Sequence, residues 1–283
     1  MHPHRQEGAD LVASTDRATG RPAAFFDLDK TVIAKSSTLA FSRPFQAGGL
    51  ISRRAVLRSA YAQFVYLVGG ADHDQMEKMR AFLSDLCAGW DVATVREIVA
   101  DTLHHIVDPL VYDEAVSLIE EHHLAGRDVI IVSASGAEVV EPIGQLLGAD
   151  GVIATRMEIR DGKYTGGIDY YAYAENKARA IEELAAEHRY DLSISYAYSD
   201  SITDLPMLEA VGHPFAVNPD RELRRLALER GWPVLVFDKP VALRRRMRLP
   251  RNTPTVAALG LATAAAVGGA VYVAARRRGA RSV

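Results

Sequence analysis

The spacing of apolar and polar positions changes several times along the chain, and each change marks a predicted element. Residues 1–22 carry His2, His4, Arg5, Arg17 and Arg21 and no long apolar run. They read as a disordered tail without the apolar segment of an export signal. Ala23-Ala24-Phe25-Phe26 is then unbroken and stops at Asp27-Leu28-Asp29, as a buried strand ending in a polar loop does. From about 36 to 125 the spacing turns helical, as in Val56, Ala60, Phe64 and Leu67, and again in Val95, Ile98, Val99 and Leu103. This predicts an insert of about four helices.

From Asp128 the pattern alternates. Val129-Ile130-Ile131-Val132 predicts a second buried strand, ending at Ser133-Ala134-Ser135-Gly136. Helices follow over Glu138–Leu147 and Ala174–His188. Short strands are predicted at Gly151–Ala154, Ile194–Tyr198, Phe215–Val217 and Val234–Phe237, with a hairpin turn at Asp161-Gly162. Strands alternating with helices imply an α/β fold, a Rossmann-like parallel sheet, with the helical block as a cap.

The end of the chain differs in kind. Thr255–Ala275 carries no charge, and arginines flank it on both sides. A helix of that length spans roughly 32 Å, enough to cross a bilayer. The division expected is therefore a tail over 1–22, a catalytic domain over 23–240 and a basic linker over 241–254. A transmembrane helix over 255–275 and a basic tail over 276–283 complete it.

Composition narrows the class. Hydrophobic residues make up 48% and charged residues 24% of 283, which excludes a disordered or multi-span chain. The one cysteine, Cys87, excludes an internal disulfide and a zinc–cysteine cluster. Residues 239–283 hold ten basic residues and no acid, which leaves residues 1–238 at a net −13. An acidic body with a basic end suits an anionic membrane surface and argues against a nucleic-acid partner. The expected location is the cell membrane, single-pass, with the catalytic domain cytoplasmic; a cytoplasmic protein is the alternative. Gly260, Ala264 and Gly268 repeat every four residues, a small-residue face that permits a homodimer.

Three predicted strands end in polar groups that would meet at one sheet edge: Asp27 and Asp29, Ser133, and Asp200 with Asp204. Lys177 lies on the helix before the last of these. Four carboxylates sharing a site require a cation, and oxygen donors without cysteine or a histidine cluster select Mg²⁺. A strand-end serine and a lysine there suit a phosphate group. His104-His105 and His122-His123 read as helix surface, and Tyr170 to Tyr173 as packing aromatics.

In that order the motifs resemble the haloacid dehalogenase superfamily, subfamily IB, the branch similar to phosphoserine phosphatase. Asp27-x-Asp29-x-Thr31, Ser133, Lys177 and Asp200-x-x-x-Asp204 match its four motifs, and the likeness covers about residues 23–240. The resemblance implies a Mg²⁺-dependent phosphomonoester hydrolase. Asp27 would be the nucleophile and Asp29 the general acid and base. Ser133 and Lys177 would bind the phosphate. Asp27, Asp29 (through its backbone carbonyl), Asp200 and Asp204 would form the metal site, with Asp204 holding a metal-bound water or Lys177. The substrate would be a small phosphorylated metabolite or lipid-derived phosphate. The branch places a glutamate nine residues after the nucleophile, whereas this chain has Ser36, which argues against phosphoserine. The competing readings are a catalytically weak scaffold of a membrane assembly and phosphotransfer to an acceptor other than water.

Overall fold

The computed structural model describes residues 20–51, 81 and 84–238. Residues 1–19 of the tail predicted over 1–22, the helical spacing from Val56 to Leu67, the basic linker and the span 255–275 with its flanks lie outside them. Arg21, expected in that tail, instead bridges to Tyr190 and donates to the Asp128 carboxylate at 2.8 Å. No helix among the described residues is long and apolar enough to cross a membrane.

A seven-stranded sheet is built around β1 (Ala23–Asp27), all of whose residues are buried. Its neighbours are β2 (Asp128–Gly136) and β5 (Tyr196–Ser199), both parallel to it. Beyond β2 lie β3 (Gly151–Arg160) and β4 (Lys163–Tyr170); beyond β5 lie β6 (His213–Val217) and β7 (Val234–Leu235). Successive residues of β1 point to opposite faces, so Ala24 and Phe26 join one hydrophobic core while Ala23 and Phe25 join the other. This two-sided burial explains why β1 reads as an unbroken apolar run.

The sheet is mixed, not wholly parallel. The predicted short strand at Gly151–Ala154 continues to Arg160, and β4 returns antiparallel beside it. The connection is Asp161-Gly162, with φ of 52° and 74°. Two positive φ values make the mirror-image tight turn that reverses a chain, and glycine meets the second at no steric cost.

Between β1 and β2 the described helices include α1 (Ser37–Ala40), α2 (Ser42–Ala47), α3 (Val92–Val107) and α4 (Asp113–Leu124), and residues 81 and 84–87 are helical as well. The Asp91 carboxylate caps α3 by accepting from the Thr94 N–H at 2.8 Å. The predicted insert over 36–125 includes α4, but α4 lies against β2. It is the crossover helix that a parallel strand pair requires. The remaining helices are α5 (Ala137–Leu147), α6 (Glu175–His188), α7 (Leu205–Glu209) and α8 (Arg221–Arg230).

One assignment to the surface is overturned. His122 on α4 is 2% exposed, because that helix turns it onto the sheet. Its Nδ1 accepts from the Arg127 Nε–H at 2.8 Å, and Nε2 meets the Tyr198 hydroxyl at 2.9 Å. Burial first, then the nearby Arg127 and His123, push the imidazole down to about 4, so it is neutral at physiological pH. Its neighbour His123 meets the Asp150 carboxylate at 3.0 Å.

Candidate active site

The strand register assembles the site. Asp27 stands beside Val132, one residue before Ser133, and Phe26 stands beside Tyr198, two residues before Asp200. Neighbouring strands lie roughly 4.8 Å apart. The chain ends of β1, β2 and β5 therefore bring Asp27, Ser133 and Asp200 to one edge. All three are buried.

After Asp27 the chain must turn sharply. Lys30 takes a left-handed φ of 64°, and the Leu28 carbonyl accepts from both the Val32 and Ile33 N–H groups at 3.0 Å. Asp29 faces the start of α1. Its Oδ1 accepts from the Ser37 N–H at 2.9 Å and its Oδ2 from the Ser135 hydroxyl at 3.2 Å.

Lys177 reaches the site from α6 and is 2% exposed. Its ammonium donates to Asp27 Oδ1 at 2.7 Å and to Asp204 Oδ2 at 2.8 Å. Asp204 also accepts from the Ser199 hydroxyl at 2.7 Å. The aromatic run before α6 packs this approach, as expected. The Tyr170 hydroxyl donates to the Asn176 carbonyl at 2.8 Å, and Tyr171 stacks on Tyr173.

Burial works against the charge of Lys177, but the attraction of Asp204 and Asp27 outweighs it and raises its pKa. Asp27 is also pushed well above the usual carboxylate range. Burial is the main cause, opposed by Lys177 and reinforced by Asp204 and Asp200. Both shifts are consistent with an excess of negative charge: one buried ammonium serves two carboxylates while a third stands nearby. That third, Asp200, is pushed up to about 7, mainly by burial. Lys30, more than half exposed, stands 4.0 Å away from it. Burial likewise raises Asp29, with the Ser37 N–H, the Ser37 hydroxyl, the Ser135 hydroxyl and Lys177 pulling the other way.

The four carboxylates expected to form one metal site divide their work. Among the described residues no group of three or more His, Cys, Asp or Glu side chains forms a metal cage. Asp204 is engaged by Lys177 and Ser199, and Asp29 by Ser37 and Ser135. Asp200, beside the exposed Lys30, and Asp27, which gives Lys177 its Oδ1 alone, are left to face a cation, with the backbone carbonyl of Asp29 in the same loop. Two buried carboxylates with raised pKa values are costly without a cation. They fit an ion that takes one or two protein carboxylates and keeps the rest of its shell as water and substrate oxygen.

Sequence reasoning missed several supporting residues. Lys30, Ser37, Ser135 and Ser199 all touch a site carboxylate. Asp220 ties the loop after β5 to the start of α8: it accepts from the Ile202 and Leu223 N–H groups, both at 2.8 Å, and its own N–H donates to the Asp200 carbonyl. A signal existed for Ser37 and Ser135, since both lie within four residues of a motif or a predicted helix start. Chain distance alone gives no reason to pair them.

The family model described as haloacid dehalogenase-like hydrolase matches residues 24–209. A Streptomyces azureus protein named for inhibition of morphological differentiation is 66% identical over 262 residues, covering 91% of this chain and 95% of that protein. A Mycobacterium tuberculosis protein named "Probable phosphatase" is 62% identical over 91% of this chain and 90% of its own length. A phosphoserine phosphatase of the same organism is 33% identical over 98% of this chain and 84% of its own. A solved Bordetella pertussis structure superposes with a TM-score of 0.68 at 30% identity, covering 77% of this chain and 99% of that one.

Proposed function

The chain belongs to the haloacid dehalogenase-like hydrolase family, in the phosphoserine phosphatase-like branch, and we propose that it hydrolyses phosphomonoesters through an aspartyl-phosphate on Asp27. It is a phosphatase; what is proposed is the chemistry, the metal and the setting. The observation that carries the mechanism is the Lys177 bridge, which places a buried ammonium 2.7 Å from Asp27 and 2.8 Å from Asp204. A buried pair of this kind orients a nucleophile and supplies positive charge to a phosphoryl group.

With Oδ1 held by Lys177, Asp27 attacks phosphorus through Oδ2. The bond from phosphorus to the ester oxygen breaks as the new one forms, and the Asp29 carboxyl gives its proton to the departing alkoxide. Asp29, now a carboxylate, takes a proton from water, which attacks the same phosphorus. The acyl–phosphate bond then breaks, releasing phosphate and restoring Asp27. Ser133 and Lys177 bind phosphoryl oxygens. Asp27, Asp200 and the Asp29 carbonyl would hold Mg²⁺, which would neutralise charge on the phosphoryl oxygens.

The scaffold reading is disfavoured by the same bridge: a fold kept only for interactions has no need of a buried, charged Asp27–Lys177–Asp204 set. The substrate class is a small phosphorylated metabolite or lipid-derived phosphate. Ser36, where the branch has its amine-binding glutamate, argues for something other than phosphoserine.

The test is phosphate release from a panel of phosphorylated metabolites with Mg²⁺, with Ca²⁺ and with chelator. Mg²⁺ should support turnover and raise the melting temperature through binding to the native state, and Asp200→Asn should remove that rise. Ca²⁺ should support little turnover, because its larger and looser coordination misplaces the reacting groups. Equal rates under all three conditions would count against the metal site.

We further propose that Thr255–Ala275 anchors the enzyme in the membrane as a single span, with the catalytic domain cytoplasmic, and that its small-residue face pairs two copies. The support is the uncharged stretch of 21 residues between arginine clusters. Full-length protein should resist carbonate extraction from membranes, whereas a chain ending at Lys239 should be released; equal extraction of both would remove the anchor.

A further inference from the structure

We propose that Ser135 is a positioning residue for proton transfer at Asp29, its hydroxyl acting as a rotor that serves both protonation states of that carboxyl. The proposal rests on the reading of Asp29 as general acid and base. Asp29 is gripped asymmetrically. Oδ1 accepts from the Ser37 N–H at 2.9 Å, a donor whose direction is set by the start of α1. Oδ2 accepts at 3.2 Å from the Ser135 hydroxyl. A backbone N–H cannot turn round, whereas a hydroxyl can donate or accept. The fixed donor lowers the basicity of Oδ1, so Oδ2 is the oxygen that carries the travelling proton.

The surroundings of Ser135 give its hydroxyl a second direction. The Ser37 hydroxyl donates to Ser135 Oγ at 2.9 Å, and Thr38 Oγ1 lies 3.2 Å away with either atom able to donate. The Ser135 N–H donates to Ser133 Oγ at 3.2 Å, which ties the residue to the end of β2. When Asp29 is a carboxylate, Ser135 donates to Oδ2 and holds its rotamer. When Oδ2 is protonated, Ser135 turns its hydrogen to Thr38 and leaves Oδ2–H directed at the ester oxygen. The serine proton never leaves Oγ. The proton that moves is that of Asp29, which passes to the alkoxide as its bond to phosphorus breaks.

A group that only positions a general acid matters in proportion to how much the leaving group needs a proton. The experiment measures kcat/KM of the full chain for p-nitrophenyl phosphate, whose anion leaves readily, and for phenyl phosphate, whose more basic anion needs the proton. Ser135→Ala should lose roughly tenfold more on phenyl phosphate than on p-nitrophenyl phosphate. Ser135→Thr, which keeps the hydroxyl, should restore the ratio. Equal loss on both esters, or no loss on either, overturns the proposal. Should Ser135→Ala fail to fold, Ser135→Gly removes the same hydroxyl and is read in the same way. Wild-type protein that releases phosphate from neither ester nor from any member of the metabolite panel overturns the phosphomonoester mechanism itself, and this proposal with it.

Discussion

Asp27→Asn is expected to lower kcat/KM by about 10⁴-fold or more while the fold persists, because the amide keeps the volume and loses the nucleophilic carboxylate. Structural damage should be small. The carbonyl oxygen of the substituted side chain can still accept from the Lys177 ammonium, which retains Asp204. Neutralising position 27 also relieves the repulsion that Asp200 and Asp204 exert on it. The melting temperature should therefore stay close to that of the wild type. No phosphorylated peptide containing residue 27 should be recoverable after acid quenching, in contrast to the wild type. Near-normal turnover by this variant would sink the covalent mechanism, whatever its stability.

Lys177→Met should damage both activity and stability. The ammonium is buried and holds two buried carboxylates. Removing one member of such a set leaves uncompensated charge and costs about 3–5 kcal/mol. For a chain of this size that is a fall in melting temperature of about 10 °C. Catalysis should fall with it, since neither the orientation of Asp27 nor the positive charge on the phosphoryl group survives. Asp204→Asn should soften the effect. Combined with Lys177→Met, it should cost less than the sum of the two single changes, because both act on one bridge. An unchanged melting temperature in Lys177→Met would mean that the bridge does not form in solution.

Much of the fold was legible because its signals are local. The apolar runs at Ala23–Phe26 and Val129–Val132 record two-sided burial, which demands apolar residues at every position. Asp161-Gly162 announced its turn because few other residues tolerate two positive φ values. The hairpin implied an antiparallel return, but the length of β4, out to Tyr170, was not legible, since it carries Gly166 and Gly167 and little alternation. His122 looked like helix surface because its helix has a modest apolar face. Only the seating of α4 on the sheet turned that ring toward Tyr198.

The sequence by itself determined the order strand–Asp27-x-Asp29, strand–Ser133, Lys177, strand–Asp200-x-x-x-Asp204, and with it the α/β architecture and the reaction type the residues resemble. These follow from chain-local chemistry: burial patterns, turn residues and the ends of predicted strands. The resemblance left Asp204 to a metal-bound water or to Lys177, and the tertiary structure decided how the carboxylates are divided. Lys177 takes Asp27 and Asp204, the Ser37–Ser135 pair takes Asp29, and Asp200 is left beside an exposed Lys30. Lys177 is separated by 150 residues from Asp27, and Ser135 by 106 from Asp29. Partnerships over such separations depend on the register of β1 against β2 and β5, and on where α1 and α6 lie against the sheet edge. These are properties of packing, which spacing along a single chain does not encode.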